Sequence, residues 1–177
     1  EQVADLIADP RVQGVALTGS ERAGSAVAEQ AGKHLKKSTL ELGGNDVFVV
    51  LDDADIDEAV RQGAQARLSN CGQVCTAAKR FILHEKIASE FMAKFSAALQ
   101  SATPGDPLDE KTTLGPLSSK DARDRLVKQV DDAVKQGARV EFGGKAIEGV
   151  GCYYQPTILT GLTPDNPAYY QEFFGPV

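Results

Sequence analysis

The chain has 177 residues, 42% apolar and 25% charged, the proportions of an ordinary globular protein with enough length for one sizeable core. Its net charge of −6 argues against nucleic acid as a partner, since that needs clustered Lys and Arg. No apolar run approaches the ~18 residues that would cross a bilayer, no signal peptide is visible, and three cysteines are too few and odd in number for a disulfide framework, so a reducing cytoplasm is the expected location.

The chain opens without Met in a helical pattern, EQVADLIADP, with Val3, Leu6 and Ile7 on one face and Pro10 after the stop. VQGVALT (12–18) reads as a buried strand, β-branched, apolar and short, with Gly19 and Ser20 as its turn. ERAGSAVAEQAGKHL comes next as an Ala-rich helix. STLEL and DVFVVL are two more strands, split by Gly43, Gly44 and Asn45. Alternation of strand and helix implies a parallel sheet with crossovers, and hence an α/β fold.

DDADIDEAVRQGAQARLSN is the next helix. Its Asp residues favour the N-terminus, and Ile56, Ala59, Val60, Gly63 and Ala64 form an apolar stripe. It runs into SNCGQVCTAAKRF (69–81). RFILH is a strand and ASEFMAKFSAALQ an amphipathic helix with Phe91, Phe95 and Leu99 inward. A Pro- and Gly-rich loop (103–117) leads to the long helix SSKDARDRLVKQVDDAVKQG, stopped by Gly137. ARVEFGG and YYQPTIL are further strands. The chain stops at EFFGPV with no helix or strand completed, so both ends read as cuts in a longer protein.

The two cysteines four apart admit several readings. Cys71 and Cys75 supply two ligands where a structural zinc needs four, and only Cys152 and two histidines remain to complete a set. A Cys71–Cys75 disulfide is awkward within so short a loop. Free cysteines also serve simply as buried packing. A nucleophile needs positive partial charge near the sulfur, and GQVCTAAK offers a Gly-led turn with Thr-Ala-Ala as the start of a helix. His34, among lysines, and His84, before Glu85, have no triad context and read as surface histidines.

Glu41 sits in an apolar strand directly before two glycines. A partly desolvated carboxylate there would suit a general base, and the bland alternative is a strand-end Glu facing solvent. The glycines allow close backbone approach to a ligand or a neighbouring strand.

LELGGNDV followed some thirty residues later by LSNCGQVC resembles the paired active-site signatures of the aldehyde dehydrogenase superfamily. LTGSERAG is similar to its cofactor turn, with Leu17 in place of the usual aromatic. LGPL, GCYYQPTIL and EFFGPV are similar to its later landmarks, in the expected order. The resemblance implies the end of a Rossmann-type nucleotide-binding domain (1–43) and most of an α/β/α catalytic domain (44–177). It implies Cys75 as the nucleophile and Glu41 as the general base, with Cys71 as packing. Gly19, Ser20, Leu42, Glu172 and Phe174 fall at cofactor-binding positions: Gly19 and Ser20 at the phosphates, Glu172 at the nicotinamide ribose, Phe174 beside the nicotinamide.

The chemistry implied is oxidation of an aldehyde to the carboxylate with NAD or NADP as cofactor, without metal. Cys75 attacks the aldehyde carbon and its own backbone N–H helps to hold the oxyanion. Hydride leaves, and Glu41 activates the water that hydrolyses the thioester. The Gly19–Ser20 turn opens a helix whose N-terminal amides favour phosphate, although it is no GxGxxG fingerprint. A coenzyme-A-acylating relative typically lacks the base that Glu41 supplies. A non-catalytic family member would have no use for Cys75, Glu41 and Glu172 together.

GQVCTAAKRFI is most similar to bacterial members acting on succinate semialdehyde or other short-chain aldehydes. Members specific for succinate semialdehyde carry an Arg six residues before the nucleophile, where this chain has Ser69. Arg67 would point about 200° away on a helix. The resemblance places the second oxyanion donor, the adenosine-ribose residues and the oligomerising elements outside these 177 residues. The expectation is a chain inactive alone, from a homo-dimeric or homo-tetrameric parent.

Overall fold

The computed structural model describes residues 2–177. It is an α/β protein that divides into two compact units, Glu1–Gly44 and Asn45–Val177.

In the first unit, helix α1 (Gln2–Ala8) precedes strand β1 (Gly14–Thr18), helix α2 (Glu21–Lys33) and strand β2 (Lys37–Glu41). β1 and β2 pair in parallel, Gly14 beside Lys37 through Thr18 beside Glu41, with α2 as the crossover. Of the expected α1 face only Ile7 is buried, while Val3 and Leu6 are exposed. β1 is not the fully buried strand that its composition implies. Its residues alternate between exposed and half-buried, because a two-stranded sheet covers only part of it. The Lys36 ammonium binds the carbonyls of Ile7 and Asp9 and so ties the end of α1 to the turn after α2.

The second unit repeats the pattern. Strand β3 (Val47–Val50), helix α3 (Ile56–Leu68) and strand β4 (Arg80–Leu83) form a parallel strand–helix–strand unit, with Val47 beside Arg80 and Val50 beside Leu83. Asp55 caps α3 by accepting from the Glu58 N–H. Helix α4 (Glu85–Gln100) packs on α3 and buries Ile87, Phe91, Phe95 and Leu99. Phe81 of β4 stands 4.8 Å from Phe95, and a Cβ on Gly63 would come within 3.0 Å of the Phe81 ring, so the glycine sets how closely α3 approaches.

After the loop comes helix α5 (Lys120–Lys135), capped by Ser119, which accepts from the Ala122 N–H. Strands β5 (Arg139–Phe142) and β6 (Ile158–Thr160) pair antiparallel. Only the end of YYQPTIL is strand. Tyr154 makes an isolated bridge to Ala146, and Thr157 turns its N–H to the Pro176 carbonyl and its hydroxyl to the Gln155 carbonyl. A second core gathers Cys71, Leu114, Leu117, Leu126, Val130, Tyr154 and Phe173 beneath α5. Its position matters because it lies directly under the cysteine loop.

Candidate active site

The loop from α3 to β4 carries Cys75. Three successive residues at its start are left-handed: Asn70 (φ 50°), Cys71 (φ 57°) and Gly72 (φ 72°). For the two non-glycine residues that conformation costs about 1–2 kcal/mol each, so neighbours must hold it. The Asn70 amide donates to the Gln73 carbonyl and the Gln73 amide donates back to the Asn70 carbonyl, both at 3.1 Å. Gln73 also donates to the Pro116 carbonyl at 3.3 Å and accepts from the Ser118 N–H at 2.8 Å. One side chain thereby fastens the loop to the LGPL segment.

Cys71 is 3% exposed and belongs to the core, which agrees with its reading as packing. Burial pushes its thiol up to about 11, against a weaker downward pull from Arg67. Cys75 is exposed. All three cysteines are free, and among the described residues no group of three or more His, Cys, Asp or Glu is placed to hold a metal ion. No helix starts behind Cys75, contrary to expectation. Cys75 and Thr76 form a turn closed by the Ala77 N–H on the Val74 carbonyl at 3.1 Å. The reason is the strand ahead: the N–H groups of Lys79 and Arg80 already bind the Asp46 carbonyl at 3.0 Å, leaving no length for a helical turn.

Lys79 organises the turn after Cys75. Its side chain is 2% exposed, and its ammonium lies 3.1 Å from Glu172 Oε1. It donates to the carbonyls of Cys75 at 2.5 Å, Ala77 at 3.2 Å and Val74 at 3.4 Å. Glu172 Oε1 is within ion-pair distance of Lys79 but outside hydrogen-bond geometry, so it remains a buried acceptor without a hydrogen bond. The Gln129 amide donates to the Glu172 main-chain carbonyl at 3.0 Å and fixes this segment to α5. Phe174 is 46% exposed, unlike its neighbour Phe173 in the core.

Arg67 was not among the expected site residues, yet it is 2% exposed and donates to the Gly72 carbonyl at 2.6 Å, while Nε and Nη1 have no partner. Burial pulls its pKa down to about 10, with Cys71 and Glu172 opposing. It lines a cavity of about 660 Å³ together with Lys79, Phe91, Ile158, Tyr169 and Phe173. Cys75 does not line this cavity. Arg80 stacks 4.0 Å over the Tyr169 ring, and the Asn45 amide donates to the Tyr169 carbonyl at 3.1 Å.

Gly19, Ser20, Glu41 and Leu42 lie in the first unit. Ser20 caps α2 by accepting from the Ala23 N–H at 3.3 Å, and the Gly19 N–H binds the Glu41 carbonyl at 3.0 Å. Leu42 packs on Gly24, where a Cβ would approach it to 2.8 Å. The Glu41 side chain is exposed and not partly desolvated as expected, because β2 is open along most of its length. His84 caps α4, its Nδ1 accepting from the Lys86 N–H at 3.3 Å. Its place at the end of RFILH, a few residues ahead of the helical pattern, was the available signal. Asn166 is also structural: buried, it donates to the carbonyls of Ala133 and Gln136 at the end of α5.

A strand–helix–strand unit that delivers an exposed cysteine on a loop anchored by Gln73, with Lys79 paired to the half-buried Glu172 behind it, defines a class of α/β enzyme-like domain. The model of the aldehyde dehydrogenase family matches residues 1–177, and the chain belongs to that family. It is 52% identical to a succinate-semialdehyde dehydrogenase [NADP(+)] of Deinococcus radiodurans over 99% of this chain and 37% of that protein. It is 50% identical to the succinate semialdehyde dehydrogenase [NAD(P)+] Sad of Escherichia coli K12 over 99% of this chain and 38% of that one. The solved succinic semialdehyde dehydrogenase of Streptococcus pyogenes, in complex with NADP+, superposes with a TM-score of 0.95 at 51% identity, over 99% of this chain and 38% of that one. The chain thus spans somewhat over a third of the length of these relatives. Among the described residues no helix is long and apolar enough to cross a membrane.

Proposed function

We propose that this chain is the central part of an NAD(P)+-dependent aldehyde dehydrogenase that oxidises succinate semialdehyde or another short-chain aldehyde to its carboxylate. The observation that carries the reading is the contrast within one loop: Cys71 is sealed in the core while Cys75, at the family's nucleophile position, is exposed and its main chain is held by Lys79. Residues 1–43 form the end of the nucleotide-binding domain and 44–177 most of the catalytic domain. The whole protein works as a homo-dimer or homo-tetramer, and these 177 residues alone are inactive.

Glu172 suits a nucleotide ribose, since its side chain is 23% exposed and, with Oε1 turned to Lys79, the carboxylate keeps acceptor capacity for a hydroxyl. Gly19 and Ser20, opening the 13-residue helix α2, suit the phosphates, with Leu42 and Phe174 at the remaining nucleotide contacts. NAD(P)+, when bound, accepts the hydride from the aldehyde carbon. The rest is done by this chain. Cys75 as thiolate forms the C–S bond, and its backbone N–H helps to hold the oxyanion. Loss of hydride leaves a thioester on Cys75. Glu41, exposed and so within reach of water, takes a proton from the water that cleaves the C–S bond, releasing carboxylate and thiol.

The test is to express the full-length protein and measure NADH and NADPH formation over a panel of aldehydes that includes succinate semialdehyde. Reduction matched by carboxylate release and abolished by Cys75→Ser is the expected result. No reduction with any aldehyde, or reduction that requires coenzyme A, would overturn it.

A further inference from the structure

Lys79 has no role in the chemistry above, yet its surroundings are built around it. An ammonium excluded from water is strongly destabilising unless its charge and its donors are matched. Here three carbonyls of a single loop, those of Val74, Cys75 and Ala77, converge on Nζ, and the fourth neighbour is the Glu172 carboxylate from the far end of the sequence. Three donors shared among four acceptors leave Glu172 Oε1 paired by charge but without a hydrogen bond. Orientation of that carboxylate and shape of the cysteine loop therefore depend on one cation.

We propose that Lys79 is a positioning residue that locks the Cys75 main chain and the Glu172 carboxylate into one cluster, so that the nucleotide-side acid and the nucleophile loop are set together. This rests on the reading of Cys75 as nucleophile and Glu172 as the ribose acceptor. Glu172 without its cation loses the partner that aims it, and nucleotide affinity falls. The loop without its cation loses both its centre and its positive potential, which an anionic reagent approaching Cys75 senses.

The test uses the full-length protein and two readouts other than turnover: nucleotide affinity by calorimetry, and the rate at which iodoacetate alkylates Cys75, followed by peptide mass spectrometry. Lys79→Met weakens NADP+ binding about tenfold, the loss of one charge-assisted contact, and Lys79→Arg restores most of it. Alkylation by iodoacetate slows in Lys79→Met and speeds in Glu172→Gln, because the two substitutions change the local potential in opposite directions. A purely structural role would move both variants the same way. Binding within about twofold of wild type in Lys79→Met, or alkylation shifts of the same sign in the two variants, overturns the proposal. Should Lys79→Met not fold, the Glu172→Gln rate decides alone: an unchanged or slower rate overturns it. Turnover that survives Cys75→Ser would instead overturn the functional reading.

Discussion

Gly72 and Gly175 meet backbone to backbone: a Cβ on Gly72 would lie 2.1 Å from the Gly175 carbonyl oxygen and 2.5 Å from Arg67 Nη2. This contact joins the cysteine loop to the EFFGPV segment, two motifs about a hundred residues apart. Gly72 also has φ 72°, which side chains rarely adopt. Gly72→Ala is therefore expected to destabilise the full-length protein by more than about 3 kcal/mol, combining overlap with backbone and a strained φ. Thermal unfolding measures it, and a melting point unchanged from wild type would show that the two segments separate freely.

Gln73 is expected to act on the loop without touching substrate. Its side chain makes hydrogen bonds to Asn70, Pro116 and Ser118. Gln73→Ala should cost about 1–3 kcal/mol of stability and lower kcat more than it alters KM for the nucleotide, since the disordered element is the nucleophile's own loop. Steady-state kinetics with varied nucleotide separates the two.

The two loop cysteines should differ in reactivity and in alkaline behaviour. Iodoacetamide at neutral pH is expected to label Cys75 and spare Cys71, which is 3% exposed. The Cys71 thiol ionises near 11 when folded against 9.0 in open chain. A raised folded value stabilises the protein fully below pH 9 and loses that contribution as pH climbs through 11. The stability advantage of wild type over Cys71→Ala should thus shrink between those limits. Melting points of the two proteins across that range check it.

Tyr154 is 1% exposed with a hydroxyl that has no hydrogen-bond partner. Removing an unsatisfied buried hydroxyl relieves a desolvation penalty, so Tyr154→Phe should leave stability unchanged or raise it by about 1 kcal/mol. Tyr154→Ala should lose about 3–5 kcal/mol by opening a cavity. Urea unfolding of the pair distinguishes ring from hydroxyl.

Local features were legible in the sequence where one periodicity dominates. The Phe91, Phe95, Leu99 stripe is buried as its spacing requires, and Gly137, at φ 103°, follows the end of α5. Features set by distant partners were not. Nothing near Arg67 in the chain reveals that Gly72 folds back over it, and a run of Thr-Ala-Ala reads as a helix start until Asp46 is seen to capture the next two N–H groups. The YYQPTIL stretch has strand composition, but Thr157 is drawn to Pro176 instead of a ladder. Lys79 and Glu172 lie far apart in sequence, so their pairing could not be read from either motif.

The most direct measurement is on the full-length protein carrying Glu41→Gln, mixed with aldehyde and NAD(P)+ and followed by nucleotide reduction and peptide mass spectrometry. The account predicts a single burst of reduction and an acyl adduct on the peptide that contains Cys75. Sustained turnover at the wild-type rate, or an adduct on Cys71 or Cys152, would contradict it.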